Sequence, residues 1–377
     1  MLVPPVRGHG FFLPSKLEPV LMGTFAIVAT ILAWAFFGAS PISNGNSYAA
    51  LSPVNVGEIL SIAYFAPDGV NDVLYVRQLD EPAPGRPIAA FRSTFALHAR
   101  GAASPLGDSV AVLAVSPSYS PYASLSLLSL PAGVSRELDQ PLDYLSPLAW
   151  SADGSRLAAR HSALPDNSGR VSVDVVEIAT ATASSQVVAR FENALDVAPV
   201  GYSLDGARLF VVVLDQSGST LWAERDGRTQ RVATLGPGRT RDWSLSPDGS
   251  RLAYVEAVGA SERAYVGRIL IIATGAVSGT VGTANQFGAA WLPGSQAPVF
   301  GGPGGSLHLS ENPNDSAYVV PQRWSPDGST LVGAVYSSTN DRTGAVAPSI
   351  EFVTPARRTR LSEEPGASFI GWVRDLK

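Results

Sequence analysis

The chain has 377 residues, 45% hydrophobic and 16% charged, which is enough apolar content to bury a large core and to exclude wholesale disorder. A net charge of −5 leaves no polycation for nucleic acid. The absence of cysteine excludes disulfides, thiolate zinc sites, iron–sulfur ligation and thiol nucleophiles together. The 36 glycines and 29 prolines favour many turns and short strands.

Residues 19–39, PVLMGTFAIVATILAWAFFGA, carry no charge. As a helix this run covers about 31 Å at 1.5 Å per residue, matching a hydrocarbon core of about 30 Å. Arg7 and Lys16 precede it, and Glu58 is the first charge after it. The positive-inside rule therefore predicts a cytoplasmic tail over 1–18 and a transmembrane signal anchor over 19–39. A polar linker over 40–56 and an extracytoplasmic domain over 57–377 follow. The alternative is a cleaved signal peptide, with Ser47-Tyr48-Ala49 as the cleavage pattern, although the apolar run exceeds a normal signal core.

From residue 57 onward a short pattern recurs: an aromatic or apolar residue, a serine, a variable residue, then Asp-Gly and an apolar run. Strong copies are Trp150-Ser151-Ala152-Asp153-Gly154, Tyr202-Ser203-Leu204-Asp205-Gly206, Leu245-Ser246-Pro247-Asp248-Gly249 and Trp324-Ser325-Pro326-Asp327-Gly328. Weaker ones lie at Ser104-Pro105-Leu106-Gly107 and Trp291-Leu292-Pro293-Gly294. The fourth positions fall at 106, 153, 205, 248, 294 and 327, a period of roughly 45 residues. Asp bonds its own backbone and Gly takes positive φ, so each copy predicts a hairpin between antiparallel strands. The flanking runs, such as Leu209–Leu214, hardly alternate, so both faces of those strands are buried. Four-stranded sheets repeating at this period predict an all-β propeller.

These Trp-Ser-Pro-Asp-Gly hairpins resemble the WD-like repeats of TolB-type β-propellers, over essentially all of 57–377. Counted in this family's register, the resemblance implies seven four-stranded blades, with six or eight as alternatives because the blade near 287 is short and weakly patterned. It also implies that the chain ends complete each other: Ile59–Phe65, Val73–Leu79 and Pro87–Phe91 form the outer strands of a first blade. The segment around Trp372 supplies its inner strand as a C-terminal clasp. Asp153, Asp205, Asp248 and Asp327 are read as turn residues, and Trp150, Trp291, Trp324 and Trp372 as packing between blades.

No catalytic signature is present. The histidines His9, His98, His161 and His308 have no paired-ligand spacing, and neither Gly-x-Ser-x-Gly nor a phosphate loop occurs. Gly301-Gly302-Pro303-Gly304-Gly305 reads as a loop, and Asn312–Asp315 lacks the calcium pattern. The expectation is a non-enzyme without metal or cofactor. Arg357, Arg358 and Arg360 read as a solvated outer-strand face. Arg100, Arg241 and Arg323 precede predicted turns of inner strands, so they are the candidate binding residues at one mouth of the propeller channel. The resemblance implies an interaction platform for a protein or an envelope polymer at the outer face of the cell membrane. A membrane-complex sensor or accessory subunit, or a propeller hydrolase or lyase, is the alternative.

Overall fold

The computed structural model describes residues 61–79, 81, 84–94, 97–115, 122–130, 132–163, 171–259, 264–279, 284–305, 307, 318–336, 349–354, 358–360 and 366–374. The chain divides into two units, Met1–Pro41 and Ile42–Lys377, and every described residue belongs to the second. The predicted tail, membrane span, linker and cleavage site lie outside the described residues. Among the described residues no helix is long and apolar enough to cross a membrane.

Among the described residues all the regular elements are strands, in sheets that follow chain order. The second blade is β4 (Arg100–Ala103), β5 (Ser109–Val115), β6 (Tyr122–Ser129) and β7 (Val134–Asp143). The third is β8 (Ala149–Trp150), β9 (Arg156–Ser162), β10 (Ser172–Ala179) and β11 (Ser184–Glu192). The fourth is β12 (Asp196–Tyr202), β13 (Leu209–Asp215), β14 (Gly218–Arg225) and β15 (Arg228–Gly236). The fifth is β16 (Thr240–Leu245), β17 (Arg251–Val258), β18 (Ala264–Ile271) and β19 (Ala276–Gly279). A two-stranded sheet of β20 (Phe287–Trp291) and β21 (Pro298–Gly301) follows. The last blade is β22 (Tyr318–Trp324), β23 (Leu331–Tyr336), β24 (Ser349–Val353) and β25 (Arg358–Arg360).

The first blade is β1 (Ser61–Asp68), β2 (Asn71–Gln78) and β3 (Arg86–Arg92), completed by β26 (Ser368–Val373) from the other end of the chain. β26 runs antiparallel to β1, with Ile62 opposite Trp372 and Phe65 opposite Ser368. The predicted C-terminal strand is therefore present, and it also touches the second blade, where the Arg374 N–H donates to Gly107 O at 2.8 Å.

The described residues thus form six four-stranded blades, not the expected seven. The segment at 287–301 pairs only as two strands, and its sequence explains the difference. Gly301-Gly302-Pro303-Gly304-Gly305 has little to pack in a sheet and one residue without a donor. Its backbone lies directly on β22 instead: Gly302 N–H donates to Val319 O at 2.9 Å, and a Cβ at Gly301 would overlap Val319 O.

The Ser-x-Asp-Gly hairpins share one hydrogen-bond pattern. In the third blade Ser151 Oγ donates to Asp153 Oδ1 (2.6 Å) and accepts from Arg156 N–H (2.9 Å), while Asp153 Oδ1 accepts from Ser155 N–H (3.1 Å). Gly154, at φ 67°, donates to Ser151 O (3.0 Å). The copies at Ser203, Ser246 and Ser325 repeat these bonds. The weak copy follows the same logic with a shifted acid: Ser104 Oγ donates to Asp108 Oδ1, one residue beyond Gly107.

These bonds stabilise the ionised acids. At Asp205 the Ser203 hydroxyl and the Ala207 N–H hold the carboxyl below its usual range. At Asp153, Asp248 and Asp327 burial opposes the same donors, and the donors win. A depressed folded-state pKa gives stability that is present above the unfolded carboxyl value and lost as pH falls through the folded one. Acidification from pH 5 toward pH 3 is expected to lower the melting temperature, and less so when the four aspartates are replaced by Asn. Thermal denaturation of both proteins across that range checks this.

The core lies between blades. Trp150 donates through Nε1 to Ala102 O of the preceding blade (3.1 Å), and Trp291 to Ser244 O (3.0 Å). Tyr202, at the equivalent position, donates to Glu177 Oε2 (2.9 Å) of the preceding blade. Trp324 and Trp372 occupy the same strand position, with Nε1 buried and unbonded. Trp150, Tyr202 and Trp291 thus bond to the sheet before their own, and Trp372 packs with Val332, Ile350 and Phe352 of the last blade, as expected of packing between blades.

Candidate functional site

The inner strands β26, β4, β8, β12, β16, β20 and β22 begin at one end of the propeller and run toward the Ser-x-Asp-Gly turns at the other. Side chains near their first residues therefore lie at the strand ends away from those turns, the expected position of the channel mouth. Arg100 opens β4 opposite Leu113, and Arg241 lies in β16 opposite Val255. Counted from the turn, these are the same rung of the ladder. Arg323 is different. It pairs with Val332, two rungs from the turn and next to Trp324, whereas Arg100 and Arg241 are four rungs out, so it lies toward the opposite end of its strand. Arg100 and Arg241 therefore share a rung at the entry ends of their strands, and Arg323 does not. Arg323 stands four residues before Asp327, whereas Arg241 stands seven before Asp248, and that difference sets the end of the strand each occupies.

Arg100 sits in a linked polar cluster. Its guanidinium lies 6.0 Å from the Tyr144 ring centroid, and burial lowers its pKa below the usual arginine value. Tyr144 donates to His98 O at 2.6 Å, and burial pushes its phenol pKa up. His98 Nδ1 is 2.9 Å from Asp72 Oδ1, and the other oxygen of Asp72 accepts from Ala99 N–H at 2.6 Å. Asp72, buried in β2, thus fixes the approach to β4.

Arg241 packs on aromatic side chains from successive sheets. Its guanidinium lies 5.7 Å from the Tyr265 centroid and 5.9 Å from that of Phe287. Phe287 contacts Tyr318 (5.8 Å), which stacks on Tyr336 (5.5 Å). Beside it, Asp242 has a positive φ of 54° in the bulge between Arg241 and Ser244. Asp242 Oδ1 accepts from Arg241 Nε (3.3 Å), and Oδ2 from Gly288 N–H (2.8 Å). Burial raises the phenol pKa of Tyr318 and Tyr336, so both stay neutral beside the arginine.

A third cluster was not legible in advance. Arg160 Nη1 bonds Asp196 Oδ1 and donates to Val197 O (3.2 Å), while Nε lies 2.9 Å from Asp143 Oδ2 without hydrogen-bond alignment. Asp143 also accepts from Ser162 N–H (2.8 Å) and Ser162 Oγ (2.6 Å). Burial opposes the charge of Arg160, but Asp196 and Asp143 outweigh it and raise its pKa above the usual value. β7, β9 and β12, from three blades, are tied at this point. The available signal was an arginine inside the apolar run Leu157–Arg160.

Among the described residues no group of three or more His, Asp or Glu is placed to hold a metal ion. Neither His98 nor His161 is hydrogen-bonded to a hydroxyl side chain there; His98 holds Asp72, and His161 packs on Tyr122 at 5.1 Å. His308 and Asn312–Asp315 lie outside the described residues, as does Arg357; Arg358 and Arg360 belong to β25.

No protein-family model matches the sequence, and comparison with curated proteins finds no match. Solved structures do match. TolB from Acinetobacter baumannii aligns with a TM-score of 0.51 and 14% identity over 82% of this chain and 66% of that one. Oligogalacturonate lyase from Vibrio parahaemolyticus aligns with a TM-score of 0.55 and 11% identity over 82% of this chain and 90% of that one. An acylaminoacyl peptidase from Pyrococcus horikoshii gives 0.53 and 12% over 81% and 51%. The chain therefore spans 66% of the matched TolB chain and about half of the peptidase chain. Identities this low establish the fold and leave chemistry to the site. With its Ser-x-Asp-Gly hairpins, its inner-strand aromatics and its sheet shared by both chain ends, the chain has the fold of a TolB-type β-propeller.

Proposed function

We propose that the protein is a non-catalytic interaction platform. The apolar segment at 19–39 holds it at the outer face of the cell membrane, and the channel mouth of the propeller binds a protein or envelope polymer. The observation that carries this reading is how the polar groups at the mouth are used. Asp72, Asp143, Asp196 and Asp242 each bond a backbone N–H or a cation that joins strands or blades. They build a rigid rim, and Arg100 and Arg241 stand on it against aromatic rings. A preorganised guanidinium on an aromatic surface suits recognition of carboxylate or phosphate groups. A hydrolase needs a different arrangement, with a nucleophile bonded to its base.

Crosslinking of the full-length protein in its native membrane, with mass spectrometry of the captured material, tests the reading. A stoichiometric envelope component, lost when the propeller is deleted and the anchor retained, is the expected result. Replacing Arg100 and Arg241 together by Ala is expected to reduce capture about tenfold or more, the scale of one or two charge-assisted bonds. Undiminished capture by that variant excludes the mouth as the binding face. Recovery of the protein alone counts against the platform.

A further inference from the structure

The fourth blade carries an unusual concentration of arginine away from the channel mouth. A groove of ≈ 840 Å³ runs along its outer strands toward the fifth blade, lined by Arg208, Arg225, Arg228 and Arg231 with Asp226, over a floor that includes Val232 and Ile272. All four arginines are exposed. Four cations against one anion stand here in a chain whose net charge is −5.

The arrangement follows from one hairpin. Asp226 (φ 52°) and Gly227 (φ 74°) form a two-residue loop with both central residues at positive φ, the geometry favoured for tight hairpins. Such a loop places its flanking residues opposite each other, and these are Arg225 and Arg228. Leu209 pairs with Glu224 on the other side of β14, so Arg208, one residue earlier, extends the row to a third strand. Like charges directly opposite across strands are unfavourable. The compensation within the described residues is slight. Asp226 is 3.4 Å from Arg225, but their side chains are 87% and 61% exposed, so water screens the pair. Asp205 lies near Arg208 and Arg225 but is engaged by Ser203 and Ala207. Arg231 donates to Thr234 Oγ1.

We propose that this groove docks an extended acidic segment of a partner protein. The row of guanidinium groups matches carboxylates at strand spacing. β15 ends its sheet, so its outer edge offers backbone donors and acceptors to an added strand. Val232 and Ile272 suit apolar side chains interleaved with the acids, which an acidic polysaccharide lacks. The proposal rests on the platform reading but uses a surface remote from Arg100 and Arg241, so the two fail separately.

The test is fluorescence anisotropy of the full-length protein in a non-ionic detergent with a labelled dodecapeptide alternating Asp and Leu. Binding at low salt that weakens steeply at high salt is expected. Arg208→Glu with Arg228→Glu should reduce affinity by about tenfold or more. Arg228→Glu alone should raise the melting temperature, because it converts an opposed like pair into an attractive one. That second readout reports the like-charge row in the folded protein without a ligand. The proposal is overturned by unchanged affinity in the double variant, by equal binding of an Asn–Leu peptide, or by a lowered melting temperature in Arg228→Glu. Polygalacturonate displacing the peptide at lower carboxylate concentration would also overturn it, in favour of a polysaccharide.

Discussion

Removal of 367–377 is expected to abolish cooperative folding of the propeller. β26 contributes Phe369, Ile370, Trp372 and Val373, each no more than 8% exposed. At about 1.5–3 kcal/mol per buried apolar side chain, their loss amounts to about 6–12 kcal/mol. That is comparable with the whole stability of a typical protein, about 5–15 kcal/mol. The loss also uncovers Ile62 and Tyr64 of β1, which are fully buried. Differential scanning calorimetry of the intact and truncated proteins decides the matter: equal melting would show that β26 does not close the ring. A point variant gives an independent check. A Cβ on Gly371 would lie 2.5 Å from the Cβ of Ala103, because β26 and β4 of neighbouring blades meet there with no space for a side chain. Gly371→Leu should therefore force the blades apart and lower the melting temperature markedly, with every other residue of the clasp still present.

The hairpins and the clasp were legible because their causes are local. Serine, aspartate and glycine within five residues complete one turn, and Trp372 declares its strand by the same spacing that Trp324 keeps from its own turn. The two-stranded sheet was less legible, since Trp291 and Pro293-Gly294 imitate a blade start while among the described residues the glycines of 301–305 add no further strand. Side chains at the mouth were the least accessible. Bulges in β12, β16, β20 and β22 insert an extra residue between the turn and the mouth, so counting back from Asp-Gly does not fix a rung. Arg323 lies on the turn side of its bulge; it was grouped with Arg100 and Arg241 because it stands just before Trp324 as Arg241 stands near Trp243, although Trp324 pairs next to its turn and Trp243 lies in the bulge of β16. Arg160 was hidden differently: its partners stand 17 residues before it and 36 after it, on other blades, and nothing near it in sequence announces either. The Arg225-Asp226-Gly227-Arg228 row went unread, although a two-residue Asp-Gly loop opposes its neighbours and so carried the local signal.

Replacement of Arg160 by Met is expected to be the most damaging single change at the mouth. The side chains of Arg160, Asp143 and Asp196 are 13%, 12% and 19% exposed, so the pairings are largely shielded from water. Breaking a buried ion pair by removing one partner costs about 3–5 kcal/mol, since the remaining charges stay buried without compensation. Here two carboxylates remain, and they repel each other. A triple variant separates this from a simple packing defect. Adding Asp143→Asn and Asp196→Asn to Arg160→Met removes the two uncompensated carboxylates, so much of the lost stability should return, as denaturant unfolding of the parent, single and triple variants would show. No recovery in the triple variant would mean that Arg160 serves chiefly as a spacer between three blades, with its charge incidental to holding them together.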